Sequence, residues 1–379
     1  MSLQLEASFG ENISMEKCSP DDYITAISIG QEKTMIVTGD GSGKLFFYRS
    51  KVTGTTKKRT QYVLASKTRA YTQGYDTSHF EPVDFSIISL DFQPKNSYSP
   101  LILVSNRQFP RLYRIQHSVI NNWPKTDLSS QFSSLNNIDQ FILPTPERSN
   151  DNFSFQLVES YFDPLVQEIV NIHCLPDQES FLQVDIFSVK ERSFESYDSA
   201  FNLFEQNTSQ PIISSSTINP FYSYLFALGF ENENNYIFDI RSHSITNKIY
   251  SKYFPTCSLS FDITGNFIAI RSPIAAEIWD IRNSSKPLNS QIIFPKEDES
   301  FREYFPISFT KHDQVLSGQY GSQFIRWNWK QSIVYNEKAG RRQFDQKYEI
   351  QKRISNICTD LQTGLIAMSA ASTLFIYQE

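Results

Sequence analysis

Two short stretches constrain the fold more than anything else in the chain. YIFDIR, residues 236–241, and EIWDIR, residues 277–282, place an aromatic–Asp pair at Phe238-Asp239 and again at Trp279-Asp280, 41 residues apart. The clearest copy of the surrounding unit is SLSFDITGNFIAIRSPIAAEIWDIR, residues 258–282. It reads strand, turn at Thr264-Gly265-Asn266, strand, turn, strand, because short alternating apolar runs are bounded by turn formers. A unit this small is one little sheet that cannot bury both faces by itself, so copies must stack on one another. A period of roughly 40–45 residues is that of a WD-type propeller blade.

Further copies follow. Residues 25–49, 87–115, 170–189, 306–330 and 355–378 each end in a strand carrying an aromatic. The predicted anchors are Tyr48, Tyr113, Phe187, Phe238, Trp279, Trp327 and Tyr377. Seven units stacked around an axis bury every face between neighbours and leave only short, protected edges. Two unrelated β-sandwiches would not repeat one order of strand, turn and aromatic-ended strand. The expectation is therefore all-β: a seven-bladed WD-repeat β-propeller over residues 1–379, its ring closed with help from an N-terminal strand, monomeric when isolated. The 31 Phe, 19 Tyr and 4 Trp supply the apolar payload for such packing. Tyr113, Phe238 and Trp279 are expected in the core.

The spacing between anchors is uneven, and two gaps are long. Residues 50–84 read as an insertion between blades 1 and 2, with Lys51, Lys57, Lys58, Arg59, Lys67 and Arg69. Residues 116–146, after blade 2, read as a protruding hairpin arm. Its stretch is rich in Ser and Asn yet carries Trp123, Phe132, Ile138 and Phe141, more apolar side chains than a plain disordered loop holds. Apolar residues that a lone propeller cannot bury mark an interaction surface, and Trp is a frequent anchor of interfaces.

Signs of chemistry are sparse. His79, His117, His173, His243 and His312 fall in no metal-ligand spacing. Gly39-Asp40-Gly41-Ser42-Gly43 precedes a strand, whereas a phosphate cradle needs a helix N-terminus there; it reads as a hairpin turn. Cys18, Cys174, Cys257 and Cys358 are scattered and read as reduced, mostly buried thiols. The acidic run Glu297-Asp298-Glu299 reads as a solvated face. No catalytic residue, metal or cofactor is expected. The net charge of −6 argues against coating nucleic acid. No stretch is long and apolar enough for a membrane helix, and the opening MSLQLEASFGENISMEKC lacks the charged and apolar regions of a secretory leader.

Several segments, in order, resemble the B family of regulatory subunits of protein phosphatase 2A. VTGDGSGKLFFYR resembles that family's first-blade hairpin, and SHFEPVDFSIISLDFQP its lead into the second blade. IDQFILPTPE is similar to the segment closing the family's long arm. DQESFLQ followed by VDIFSVKERSF resembles the third blade, with Glu191-Arg192-Ser193-Phe194 the most telling piece. ISSSTINP through YIFDIRS, EIWDIRNSSKPL, LSGQYGSQFIRW and GLIAMSAASTLFIYQE resemble the later blades and the ending. The resemblance implies a non-catalytic subunit that binds the helical-repeat scaffold subunit and the catalytic subunit and directs the enzyme to phosphoprotein substrates. It implies that Trp123, Phe132, Ile138 and Phe141 lie on the scaffold, with no nucleic acid or membrane partner and a cytoplasmic, also nuclear, location. Family members carry an acidic pair in the turn before the last strand of the third-blade motif. Here Gln183 runs into Val184-Asp185-Ile186-Phe187. That turn reads as deleted, which leaves Glu179 and Asp185 as the nearest acids on a substrate face. The competing expectations are a generic WD-repeat scaffold of another complex and, behind it, a propeller enzyme.

Overall fold

Strands such as Leu225–Phe230 and Leu365–Ala370 are buried almost throughout. A strand apolar on both faces needs a neighbouring sheet on each side, and the chain provides it by repetition. The computed structural model describes residues 3–10, 19–30, 34–53, 59–71, 84–93, 100–122, 148–163, 167–195, 200–207, 209–293, 304–340 and 353–379. They form seven four-stranded antiparallel sheets, the blades of a β-propeller. The first strand, β1 (Gln4–Phe9), waits for the last blade. Blade 1 is β2 (Ile24–Ile29), β3 (Met35–Asp40), β4 (Lys44–Thr53) and β5 (Arg59–Arg69). Blade 2 is β6 (Ser89–Phe92), β7 (Leu101–Ser105), β8 (Pro110–Asn122) and β9 (Arg148–Ser160). Blade 3 is β10 (Ile169–Cys174), β11 (Ser180–Asp185), β12 (Ser188–Ser193) and β13 (Ala200–Glu205). Blade 4 is β14 (Ile213–Ile218), β15 (Leu225–Phe230), β16 (Asn234–Asp239) and β17 (Ser244–Tyr250). Blade 5 is β18 (Ser258–Phe261), β19 (Phe267–Arg271), β20 (Ala275–Asp280) and β21 (Asn289–Ile292). Blade 6 is β22 (Ile307–Phe309), β23 (Val315–Gly318), β24 (Gln323–Asn328) and β25 (Ile333–Lys338). Blade 7 is β26 (Ile354–Asp360), β27 (Leu365–Ala370) and β28 (Thr373–Gln378), completed by β1, which pairs antiparallel with β28 from Gln4↔Gln378 to Phe9↔Leu374. The ring is thus closed by its own N-terminal strand, as expected.

The core is divided in the same way. Each pair of neighbouring blades shares one apolar cluster, from Phe47 with Ile102 and Tyr113 between blades 1 and 2 to Tyr48 with Leu365 and Ile376 between blades 7 and 1. Six expected anchors sit where the repeat requires. Tyr48, Tyr113, Phe238, Trp279, Trp327 and Tyr377 are buried in the third strand of their blades, opposite Ile36, Ile102, Phe226, Ile268, Val315 and Ile366. The seventh is different. Phe187 lies in the turn between β11 and β12, half-buried, and the residue opposite Phe181 at the anchor position is Arg192, 3% exposed.

The first long gap holds a regular strand among its described residues. Within the stretch expected as an insertion, β5 is the outer strand of blade 1, paired with β4 from Lys44↔Arg69 to Thr53↔Arg59. The Gly39–Gly43 stretch is the expected hairpin turn. The Asp40 carboxylate accepts from the backbone N–H groups of Ser42 and Lys44 at 3.0 and 2.8 Å. Gly43 has φ +80°, and a Cβ there would meet the carbonyl oxygens of Tyr71 and Phe85 below 3.0 Å, so only glycine fits.

Candidate functional site

Strands alternate in direction. The turns between first and second strands therefore lie on the same face of the ring as the turns between third and fourth strands. The described part of the arm, at the ends of β8 and β9, leaves the ring on that face. Its root is an unusually long hairpin, paired from Arg111↔Ser160 to Asn122↔Arg148. The inner neighbour β7 stops pairing at Leu101↔Arg114, so residues 116–122 pair with 148–154 alone. At about 3.3 Å per residue the hairpin reaches roughly 20 Å beyond the blade. Trp123, Phe132, Ile138 and Phe141 lie outside the described residues.

Phe153 holds the root. It is 8% exposed, its ring stacks on His117 at 4.7 Å, Phe47 of blade 1 lies 5.3 Å away, and the Arg49 guanidinium sits 5.0 Å over it. Arg49 and Phe47 belong to β4, so blade 1's own long hairpin braces the arm. Sequence reasoning passes over Phe153. Its signal is the alternation Phe153-Ser154-Phe155, strand-like residues just after the expected end of the arm.

The same face carries an aromatic and guanidinium patch under blades 4 and 5. Phe221, Tyr222 and Tyr224 come from the turn between β14 and β15, and Phe221 is 65% exposed. Arg241 lies over the Tyr224 ring at 3.3 Å and is forked onto Asp239 two residues before it. Arg282 repeats this on Asp280, Nη2 to Oδ2 at 2.8 Å. The Arg–Asp hydrogen bonds hold both aspartates below the usual carboxylate range. The repeated Asp-Ile-Arg at 239–241 and 280–282 is legible in the sequence but marks only the repeat there.

The acids of the expected substrate face are not brought together. Glu179 ends the turn between β10 and β11, on the arm face, and is exposed. Asp185 ends β11, at its other end and on the opposite face of the ring. The third-blade turn that reads as deleted is a tight one. It is the two-residue connection Ile186-Phe187, as short as Ala371-Ser372 in blade 7. Asp185 shapes it by accepting from the backbone N–H groups of Phe187 and Ser188 at 2.9 and 2.6 Å and from the Ser188 hydroxyl at 2.7 Å. One carboxylate remains there, followed by Ile186 and Phe187 rather than by a second acid.

The axis of the ring is a channel of about 500 Å³ walled by the first strands. Its lining is polar because hydroxyl and amide side chains bridge adjacent first strands. Asn356 donates to the Ile24 carbonyl at 3.1 Å, Thr25 to the Ile87 carbonyl, and Ser89 to Asn171 at 2.5 Å. His173 Nε2 and Ser216 Oγ are hydrogen-bonded at 2.9 Å, and Ser214 donates to the Thr256 carbonyl at 2.6 Å. The Ile307 N–H donates to Ser258 at 3.2 Å, and Ser308 pairs with Thr359 at 2.7 Å. Every blade junction is bridged, since buried polar groups must find partners. The Asp91 carboxylate accepts the Cys174 N–H at 2.8 Å, and burial pushes it up to about 7. Burial drives His173 down to about 4, so it is neutral. Burial raises the thiols of Cys174, Cys257 and Cys358, away from the reactive thiolate. Among the described residues no three His, Cys, Asp or Glu gather as a metal site, and no helix is long and apolar enough to cross a membrane.

No family model matches the chain. Among curated proteins it is similar to the regulatory B subunit of protein phosphatase PP2A from Candida tropicalis, 21% identical over 359 residues, which span 86% of this chain and 70% of that protein. It is similar as well to the regulatory B subunit of protein phosphatase PP2A from Schizosaccharomyces pombe, 18% identical over 352 residues, 83% of this chain and 75% of that protein. The resemblance drawn from the blade segments is thus matched, at low identity, over most of the chain.

Proposed function

We propose that this chain is a non-catalytic regulatory subunit of protein phosphatase 2A in the cytoplasm. It binds the helical-repeat scaffold subunit and the catalytic subunit and selects phosphoprotein substrates. The observation that carries the reading is the projecting hairpin of blade 2, braced at its root by Phe47, Arg49 and His117, in a chain similar over most of its length to proteins named as regulatory B subunits. A generic propeller has no use for a hairpin that extends past its ring. The patch of Phe221, Tyr222, Tyr224, Arg241 and Arg282 lies on the arm's face. It supports a scaffold that runs beneath the arm and continues under blades 4 and 5, because aromatic residues and Arg are the side chains on which interfaces concentrate their energy. The opposite face offers substrates one carboxylate beside two apolar residues in the third-blade turn, so substrate choice differs from that of relatives with an acidic pair. The phosphate-ester chemistry belongs to the catalytic subunit.

The test is co-purification of the full chain, at native abundance, from its source. The reading expects the phosphatase scaffold and catalytic subunits to be retained together. Recovery of another complex with neither of them would refute it.

A further inference from the structure

Three consecutive residues leave the arm's return strand β9, and each takes a different hold on the ring. Tyr161 is 1% exposed, its ring lies 4.9 Å from Phe181, and its hydroxyl donates to the Phe194 carbonyl at 2.9 Å. Phe162 lies 5.9 Å from Phe109, which is packed with Tyr71 and Arg111. Asp163 accepts from Lys190 Nζ at 2.8 Å and from Arg192 Nη2 at 2.5 Å. Lys190 and Arg192 stand on β12 of blade 3, and their side chains are 11% and 4% exposed. Register pairs Lys190 with Gln183, whose side-chain amide, like Arg192 Nε, makes no hydrogen bond although buried. Asp163 is therefore the one carboxylate that neutralises two buried cations here among the described residues. Removing it would strand them, which makes the placement of this connection exacting.

Blade 2's own sheet holds β8 as far as Leu101↔Arg114, whereas the outer strand β9 pairs with β8 alone, so its further hold on the ring comes from contacts at two separated points. The first point is Phe153. The second, eight to ten residues on, lies roughly 25–35 Å along the extended chain on the opposite face of the ring. We infer that the Asp163–Lys190–Arg192 cluster is a positioning latch that stops the arm from pivoting about Phe153 and so sets the direction in which the arm meets its partner. That the arm has a scaffold partner rests on the function proposed above; the latch itself does not.

The experiment is hydrogen exchange on the full-length protein, read at the amides of 111–118 and 152–160, with scaffold affinity measured in parallel. Asp163→Asn leaves two unpaired cations and can unfold the chain, so the deciding variant is Asp163→Asn/Lys190→Met/Arg192→Phe. It gives blade 3 the apolar anchor of the other blades but no tie to residue 163, and replacement of a buried ionic cluster by apolar residues is commonly neutral. The expected result is a melting temperature near wild type, at least tenfold faster exchange in the arm root, and scaffold binding weakened about tenfold with the arm's tip unaltered. Wild-type exchange in the stable triple variant would overturn the latch. Faster exchange in a protein whose wild type binds no scaffold at all would leave the latch standing and remove the phosphatase reading instead.

Discussion

In blade 5 the third strand places Trp279 opposite Ile268, and in blade 3 the same register places Arg192 opposite Phe181. Trp279 is 2% exposed among the apolar residues shared with blade 4, and its indole N–H donates to Glu277 at 3.2 Å. Arg192 is as well buried but depends on Asp163, from the connection that follows the arm. The contrast continues in the channel. The junction of blades 5 and 6 is bridged by Ser258 and Ser260, whereas blade 3 meets blade 2 through Asp91 and blade 4 through His173. Apolar packing holds its neighbour wherever shapes fit. An ionic contact demands one geometry, and the protein places that demand on the blade that receives the arm's return strand.

Removing the apolar anchor should have the largest effect. Trp279→Ala should cost about 3–5 kcal/mol in urea unfolding, through lost transfer energy and the cavity left behind. A variant that folds normally and only loses a partner would show that Trp279 is not a packing residue.

The channel groups give the next effect, and it depends on pH. Asp91 is raised to about 7 by burial, so its favourable contribution is complete below its unfolded value near 4 and is lost as pH rises through 7. His173 is lowered to about 4, so its contribution is complete above about 6.5 and is lost as pH falls through 4. Between pH 4 and 6.5 the two slopes oppose, and the pair should leave stability nearly flat. Asp91→Asn should unmask a decline toward acid. It should also exceed wild type at pH 8 by on the order of 4 kcal/mol, since each pKa unit is worth about 1.4 kcal/mol. His173→Gln should unmask a decline toward neutral pH. Unfolding free energies across a pH series decide it, and parallel profiles would contradict the assignment.

A smaller loss should follow Arg192→Ala, because Asp163 keeps Lys190 and the pair left behind is neutral. About 2 kcal/mol is expected, and a cost above that of Trp279→Ala would reverse the ranking of the two junctions. The smallest structural effect belongs to Arg241→Ala and Arg282→Ala. These solvent-facing guanidinium groups should leave the melting temperature unchanged and reveal themselves only in scaffold binding.

The difference between the two blades also explains what the sequence displays. Aromatic-ended strands make six blades legible, together with the closing strand and the root of the arm. The aromatic pattern sets the anchor of blade 3 five residues early because Phe187 is aromatic and Arg192 is not, though the turn takes the first and the anchor position the second. The outer strand β5 is hidden because a strand exposed on one side, with Leu64, Lys67 and Arg69 outward, loses apolar alternation. Channel-lining serines and asparagines look like solvent-facing residues until their partners on the next blade are known. Asp163 stands 27 and 29 residues from Lys190 and Arg192, a spacing that no local pattern reports.

The most direct test of the account is the affinity of the full-length protein for the purified phosphatase scaffold subunit, with and without Trp123→Ala/Phe141→Ala in the arm. The account predicts measurable binding by the unaltered chain and a loss of about 2 kcal/mol or more, roughly thirtyfold, in the double variant at an unchanged melting temperature. Equal scaffold binding by both proteins, or no binding by either, would contradict it.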